Sequence, residues 1–476
     1  MKNFTSKESE KKSLLEEING MDFPKPSISI DFTLMQKLFA YWLKKKHYFG
    51  NWSGTGVGKT YSFILASRLI DAHLTVIVGT NSTTRQLAST ITNLYDDNVA
   101  VVYDGKLPDF DMSRHNYLIF NYEKGQQEYS QDLFDSLLDK YKVDYIVFDE
   151  VQMVKQRDLQ CSTRRANFLS FRNNAVERYG SYVSVMTATP YVNSISEVIS
   201  ILTLLTGKDY KHISTKNVLK NTSAVSRLLN TLGILATTEP KNKKGMVVKE
   251  NVVIDAITGD DSTFKDFQRA FEDGSPLPIY QATLQDKLES IYVNDRIKKG
   301  ELAIIYTQFT DGIIEQTKDF FTDLGYRVCE YTGKSKDTEP YEDKNGSVNW
   351  ELVKKDFDII LASKPIAVGI DGLQKVSNTM AILSLPWTNA DYEQLIGRIK
   401  RKNSNFDEVN VYIPMVRFPQ LDMVGYDDMV WNAIKTKEVL GSACLKGEFS
   451  TEPTSIHKTI VKDFRSKMLG EYGCAA

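Results

Sequence analysis

The run Ser53-Gly54-Thr55-Gly56-Val57-Gly58-Lys59-Thr60 constrains this chain more than any other eight residues. It follows HYFGNW, which reads as a short strand, and precedes YSFILASRLI, whose apolar spacing predicts a helix. Strand, glycine loop and helix are the context in which backbone N–H groups and a helix N-terminus cradle phosphates. Gly54, Thr55, Gly56, Val57 and Gly58 would form the cradle, Lys59 would reach the β- and γ-phosphates, and the Thr60 hydroxyl would hold Mg²⁺. Ser53 takes the place of the usual first glycine. A chance glycine turn is the bland alternative for the string taken alone.

A loop of this kind needs a parallel sheet behind it, and the sequence supplies two. Short β-branched or aromatic runs alternate with helical patterns from about residue 31 to 205: LTVIVGT (74–80), NVAVVYD (98–104), NYLIFNY (116–122), DYIVFDE (144–150) and YVSVMTATP (182–190). The pattern recurs from about 286 with ELAIIYTQF (301–309), YRVCEYTG (326–333), FDIILAS (357–363), TMAILSLP (379–386) and VNVYIPMV (409–416). Near-continuous apolar runs of this length predict buried parallel strands with helices on both faces. The expected layout is an N-terminal appendage (1–30), a first α/β lobe (31–205), a helical and basic connecting region (206–285), a second lobe (286–425) and a helical C-terminal tail (426–476).

Three further strings fall at strand ends in a fixed order. In Phe148-Asp149-Glu150-Val151-Gln152, Asp149 is placed to hold Mg²⁺, and Glu150 to accept a proton from water attacking a γ-phosphate. Thr187-Ala188-Thr189-Pro190 puts small hydroxyl residues at the end of the next strand. Gln394-Leu395-Ile396-Gly397-Arg398-Ile399-Lys400-Arg401 follows a strand of the second lobe. On a helix, Arg398 and Arg401 would share a face, and a guanidinium pair can stabilise charge on a γ-phosphate. Each string alone has an ordinary reading, a solvated strand end or a basic helix; the order is what carries weight.

A formal net charge of −2 gives no whole-chain attraction to a polyanion, so positive charge for nucleic acid must be local. Residues 212–250 hold seven Lys/Arg (Lys216, Lys220, Arg227, Lys241, Lys243, Lys244, Lys249) against Glu239 and Glu250, which suits either a phosphate backbone or an exposed loop. The four cysteines are far apart, without a CxxC pair, as expected of reduced thiols in an intracellular compartment. The charged N-terminus and the absence of any run near ~20 apolar residues predict a soluble protein without a membrane partner.

The ordered set GTGVGKT, DEVQ, TATP and QLIGRIKR resembles a superfamily 2 helicase, and finer features resemble its Swi/Snf-type branch. These are Thr33-Leu34-Met35-Gln36, FNYEK (120–124), TATPYVNSISEVISILTLL (187–205), IIYTQFTDGI (304–313), SKPIAVGIDGLQ (363–374) and LPWTNADYEQLIGRIKRKN (385–403). The resemblance implies two RecA-like lobes in tandem and an ATP- and Mg²⁺-dependent DNA translocase or helicase acting on duplex, forked or branched DNA. It implies that Gln36 reads adenine, that Gln394 adds a polar contact, and that Lys59, Thr60, Asp149, Glu150, Arg398 and Arg401 run the chemistry. It places Thr80, Asn81, Thr307, Gln308, Thr332, Ser363 and Gly369 along a phosphate track. DEVQ departs from the branch's DEAH, and SKPIAVGIDGLQ from its glycine-doublet form. The compact length resembles bacterial, phage or large-virus motors. An RNA helicase, or an ATP-gated binding or motor subunit of a larger defence or restriction complex, are the alternatives.

Overall fold

The computed structural model describes residues 12–447, apart from 55, 82, 103–104, 155–161, 237–238, 273–274, 336, 344–347 and 368–369. The chain divides into two units, the first made of Met1–Thr238 with Leu440–Phe449, the second of Glu239–Val439 with Ser450–Ala476.

The first unit is built on seven parallel strands, β1 (Tyr48–Asn51), β2 (Leu74–Gly79), β3 (Asn98–Val101), β4 (Asn116–Asn121), β5 (Tyr145–Phe148), β6 (Tyr182–Met186) and β7 (Gly233–Ile234), in the order β3-β4-β2-β5-β6-β1-β7. Alternate residues of the central strands feed two cores. Val76, Val78, Leu118, Phe120, Ile146 and Phe148 pack in one; Ile77, Tyr117, Ile119, Tyr145 and Val147 pack in the other. Both faces are therefore apolar, which is why these strands read as unbroken runs rather than as alternation. The Lys59–Leu69 helix adds Phe63, Ile64 and Leu65 to the second of these cores.

The second unit has six parallel strands, β8 (Lys249–Thr258), β9 (Ala303–Tyr306), β10 (Val328–Tyr331), β11 (Ile359–Ala362), β12 (Thr379–Ile382) and β13 (Glu408–Arg417), in the order β10-β11-β9-β12-β13-β8. Two parallel-sheet units in succession make the chain a tandem α/β protein. No helix among the described residues is long and apolar enough to cross a membrane.

Residues 206–285 differ from the expected connecting region. They form no body of their own: the unit boundary falls between Thr238 and Glu239, so the Leu219–Leu232 helix and β7 belong to the first sheet and β8 to the second. The ten-residue β8 escapes a reading tuned to apolar runs because it is an edge strand, with no residue fully buried and exposed residues alternating with half-buried ones along most of its length. β7 is short because it is wedged in place. A Cβ at Gly233 would lie 2.2 Å from Trp52 Nε1, and that indole donates to Leu229 O at 2.9 Å.

Candidate functional site

Parallel strands end on one edge of their sheet, and ligands of α/β sheets bind beyond that carboxyl edge. In the first unit β1 ends into the glycine loop, β2 into Thr80, β5 into Asp149 and β6 into Thr187. Chain order thus becomes a spatial cluster without help from any one residue.

The glycine loop is fixed from several sides. Ser53 is fully buried; its Oγ accepts from Ala236 N at 2.9 Å, and its own N–H donates to Asn51 Oδ1 at 3.1 Å. Gly54 N donates to Ala236 O at 3.2 Å. The hydroxyl explains why serine stands where a glycine is usual: it pins the loop to the residues that follow β7. Gly58 sits at φ 84°, in the left-handed region that favours glycine, and begins the Lys59–Leu69 helix without a capping side chain. The first helical N–H groups therefore face the loop, as an anion site requires.

Lys59 Nζ donates to Ser53 O at 2.9 Å and Gly54 O at 3.0 Å. Burial pulls its ammonium below the usual lysine range, while the charges of Glu150 and Asp149 oppose that fall. Burial, reinforced by the neighbouring Glu150, pushes the Asp149 carboxyl up, and the Lys59 charge restrains it. A half-buried amine and two carboxylates thus share one field. Tyr122 OH holds the Asp149 carbonyl at 2.7 Å.

Glu150 occupies the left-handed region at φ 50°, an uncommon conformation for a residue with a side chain. Gln152 Nε2 donates to Glu150 Oε2 at 2.7 Å and orients that carboxylate. Gln152 Oε1 and Thr189 Oγ1 are buried without a hydrogen-bond partner among the described residues. Thr187 is buried, with its N–H on Asn51 O at 3.1 Å and its Oγ1 accepting from Thr189 N at 3.0 Å. The β1 end, the loop and the TATP turn are one hydrogen-bonded assembly.

Gln36 lies against this loop. Its Oε1 accepts from Thr33 N at 2.8 Å, closing a capping box on the Leu34–Lys46 helix, and its Nε2 donates to Gly58 O at 3.1 Å. Asn121 Nδ2 hydrogen-bonds Asn81 Oδ1, joining the ends of β4 and β2, with Thr80 half-buried beside them. Thr60 is half-buried in the first helical turn; Gly56 (φ 77°), Val57 and Gly54 border the cradle, and Thr55 lies outside the described residues.

The second unit repeats the carboxyl-edge logic. Thr307 Oγ1 shares a hydrogen bond with Ser384 Oγ at 3.1 Å, Gln308 N donates to Ser384 Oγ at 2.6 Å, and the Gln308 amide hydrogen-bonds Leu385 O. Thr332 Oγ1 accepts from Lys334 N and Ser335 N at 3.2 and 3.0 Å. Buried Ser363 donates its N–H to Tyr331 O at 3.1 Å. Ser384, unmarked by any motif, is the hub of this edge. Gly369 lies outside the described residues.

Arg398 and Arg401 are not helical as the spacing suggested. The helix is Asn389–Ile396; Gly397 ends it, and both arginines sit in the turn beyond. A mid-helix glycine costs roughly 1 kcal/mol relative to alanine, which favours the break here. The two guanidiniums still converge, now through carbonyls. Arg398 donates to Ile370 O at 2.7 Å and Ala367 O at 2.8 Å; Arg401 donates to Ile370 O at 3.2 Å and lies 3.5 Å from Asp371. Gln394 is half-buried on the last helical turn. The same stretch is held again at the next residue, where Trp350 Nε1 donates to Asp371 O at 3.0 Å.

Comparison with known proteins agrees with the motif order. The family model described as the type III restriction enzyme res subunit matches residues 3–192, and that of the helicase conserved C-terminal domain matches residues 283–403. An uncharacterized killer plasmid pGKL-2 helicase from Kluyveromyces lactis is 24% identical over 413 residues, covering 81% of this chain and 63% of the relative; the chain thus spans less than two thirds of that relative's length. Among solved structures, the Sulfolobus solfataricus SWI2/SNF2 ATPase core in complex with dsDNA aligns at TM-score 0.39 and 13% identity, over 94% of this chain and 99% of that one. The two family models fall one on each unit, and with the expected strings in order along the chain they support a superfamily 2 helicase or ATPase.

Proposed function

We propose that the chain is a DNA-dependent ATPase motor that couples hydrolysis to movement on duplex, forked or branched DNA. The observation that carries this reading is the first unit's carboxyl edge, where a half-buried lysine, two adjoining carboxylates and an uncapped helix N-terminus meet at one glycine loop. The donor set fits Mg²⁺·ATP. Thr60 and Asp149 offer the hard oxygen ligands that Mg²⁺ prefers, and buried Gln152 Oε1 and Thr189 Oγ1 lack partners among the described residues. Bound there, Mg²⁺ would neutralise charge on the β- and γ-phosphates.

The chain's own residues then have separable tasks. Lys59 exchanges its two carbonyl partners for phosphate oxygens. Backbone N–H groups of Thr55, Gly56, Val57 and Gly58 cradle the phosphates, Gly54 borders the cradle with its own N–H on Ala236 O, and Gln36, already docked on Gly58, reads adenine. Glu150, oriented by Gln152, takes a proton from the water that attacks the γ-phosphate. Arg398 and Arg401, with Gln394 beside them, stabilise charge on the γ-phosphate as it leaves. Thr80, Asn81, Thr307, Gln308, Thr332, Ser363 and Gly369 carry the nucleic-acid backbone.

The choice of DNA rests on the Swi/Snf-type features of the sequence. Steady-state ATP turnover with duplex, forked and single-stranded DNA and with RNA tests it: the expected result is strong stimulation by duplex or forked DNA. Stimulation that only RNA provides would replace DNA with RNA, and none from any nucleic acid would end the motor reading.

A further inference from the structure

One cationic feature of the first unit has no part in the phosphate site. An open hollow of about 520 Å³ lies along the Leu219–Leu232 helix, with His212, Lys220, Asn221 and Arg227 on its walls and Ile213 and Leu228 among its apolar lining; no carboxylate lines it. Lys220 and Arg227 are exposed, and neither side chain has an ion-pair partner among the described residues. They are seven residues apart, two helical turns, and so share a face at ~10 Å separation along the axis. That is about the axial rise of three nucleotides of one strand at ~3.4 Å each. Two cations so spaced suit a phosphate polymer better than a single small anion.

The hollow is also tied to the nucleotide edge of its unit. Asn217, on the segment leading into the helix, accepts from Ile195 N at 2.9 Å and donates to Asn193 O at 3.2 Å. Residues 193–195 follow two residues after the Thr187–Pro190 turn. Asn221 Nδ2 closes the rim on Lys216 O at 2.9 Å and Ser214 Oγ at 3.1 Å. The remaining basic residues of the 212–250 stretch, Lys241 to Lys249, belong to the second unit and do not contribute.

We infer that this hollow is a backbone-phosphate site for a nucleic-acid strand, held by Lys220 and Arg227, with sugar packed on the apolar lining. It rests on the motor reading above, but it places a contact outside every motif that reading uses. The test is fluorescence anisotropy of labelled duplex DNA, and separately of RNA, between 50 and 200 mM NaCl, for the full chain and for Lys220→Ala/Arg227→Ala. Two lost phosphate contacts should flatten the slope of log K against log salt by about 1.8 on duplex DNA, and weaken binding roughly 60-fold at 0.1 M salt. ATP turnover without nucleic acid and thermal stability should not change, and the charge-preserving Lys220→Arg/Arg227→Lys should keep the slope. An unchanged slope in the alanine variant, or loss of slope in the charge-preserving one, overturns the site while leaving the motor reading intact. A wild-type chain that binds neither polymer overturns both.

Discussion

Glu150 shows how a single residue can be placed for chemistry at a cost to stability. Its left-handed backbone, at φ 50°, costs of the order of 1 kcal/mol in a residue with a side chain. Glu150→Gly should therefore stabilise the first unit by about 1 kcal/mol in chemical denaturation and lower ATP turnover by at least ~10²-fold, the range expected for loss of a general base. Loss of stability together with activity would mean that the side chain is structural. Ser53 makes the complementary case. Its buried hydroxyl holds Ala236 N, so Ser53→Gly, a return to the usual pattern, should lower the melting temperature by an amount equivalent to roughly 1–3 kcal/mol. At this scale the sequence was legible wherever chemistry depends on residue type and spacing: Lys59, Asp149 and Glu150 meet because each follows a strand of one parallel sheet. Ser384 and Asn217 were not legible, because serine and asparagine as backbone-holding hubs leave no pattern, only tertiary contacts.

Among elements, the strands with two buried faces were plain in the sequence, since a continuous apolar run has few other uses. β8 was not, because an edge strand half in water reads as loop. Nor was the end of the Asn389–Ile396 helix, where basic periodicity continues but the backbone turns away to let Arg398 reach Ile370 O and Ala367 O. What fixes the second sheet's strands at their amino ends is a carboxylate. Asp358, just before β11, accepts from Arg327 Nε, Nη2 and N and from Gly300 N at 2.8–3.1 Å. The side-chain hydrogen bonds of Arg327 are the main reason its pKa falls to about 2. A folded-state value below the unfolded one adds stability above the ordinary carboxylate pKa of ~3.9, and that stability is lost as pH falls toward about 2. Asp358→Asn should thus cost about 2 kcal/mol at pH 7, and the gap to wild type should close between pH 4 and 2 in urea titrations. A gap independent of pH would show that charge plays no part.

A second anchor of the same unit is fully buried. Lys287 Nζ lies 2.7 Å from Asp427 Oδ2 and donates to Leu383 O at 2.8 Å, with the Tyr280 ring 4.7 Å away. It joins the Leu284–Val293 helix to the Tyr426–Lys446 helix at the end of β12. Burial lowers the lysine pKa and raises the aspartate's, so each depends on the other to stay charged. Lys287→Met or Asp427→Ala alone should cost ~3–5 kcal/mol, and Lys287→Met/Asp427→Leu should recover most of it. Equal, additive losses in the double variant would refute a mutual dependence.

For the whole molecule, duplication is the organising fact: two parallel sheets, each with its polar residues gathered on the carboxyl edge, one carrying the lysine and carboxylates and the other the paired arginines. The unit boundary at Thr238/Glu239 could not be read from composition, because the basic stretch 212–250 runs straight across it. The account stands or falls on whether the glycine-loop edge hydrolyses ATP under control of nucleic acid. Phosphate release measured on the full chain with and without duplex DNA, beside Lys59→Ala and Glu150→Gln, tests this most directly. The prediction is stimulation of at least ~10-fold by DNA and loss of turnover in both variants, with Glu150→Gln still binding nucleotide. Turnover that persists in Lys59→Ala, or that ignores every nucleic acid offered, would contradict it.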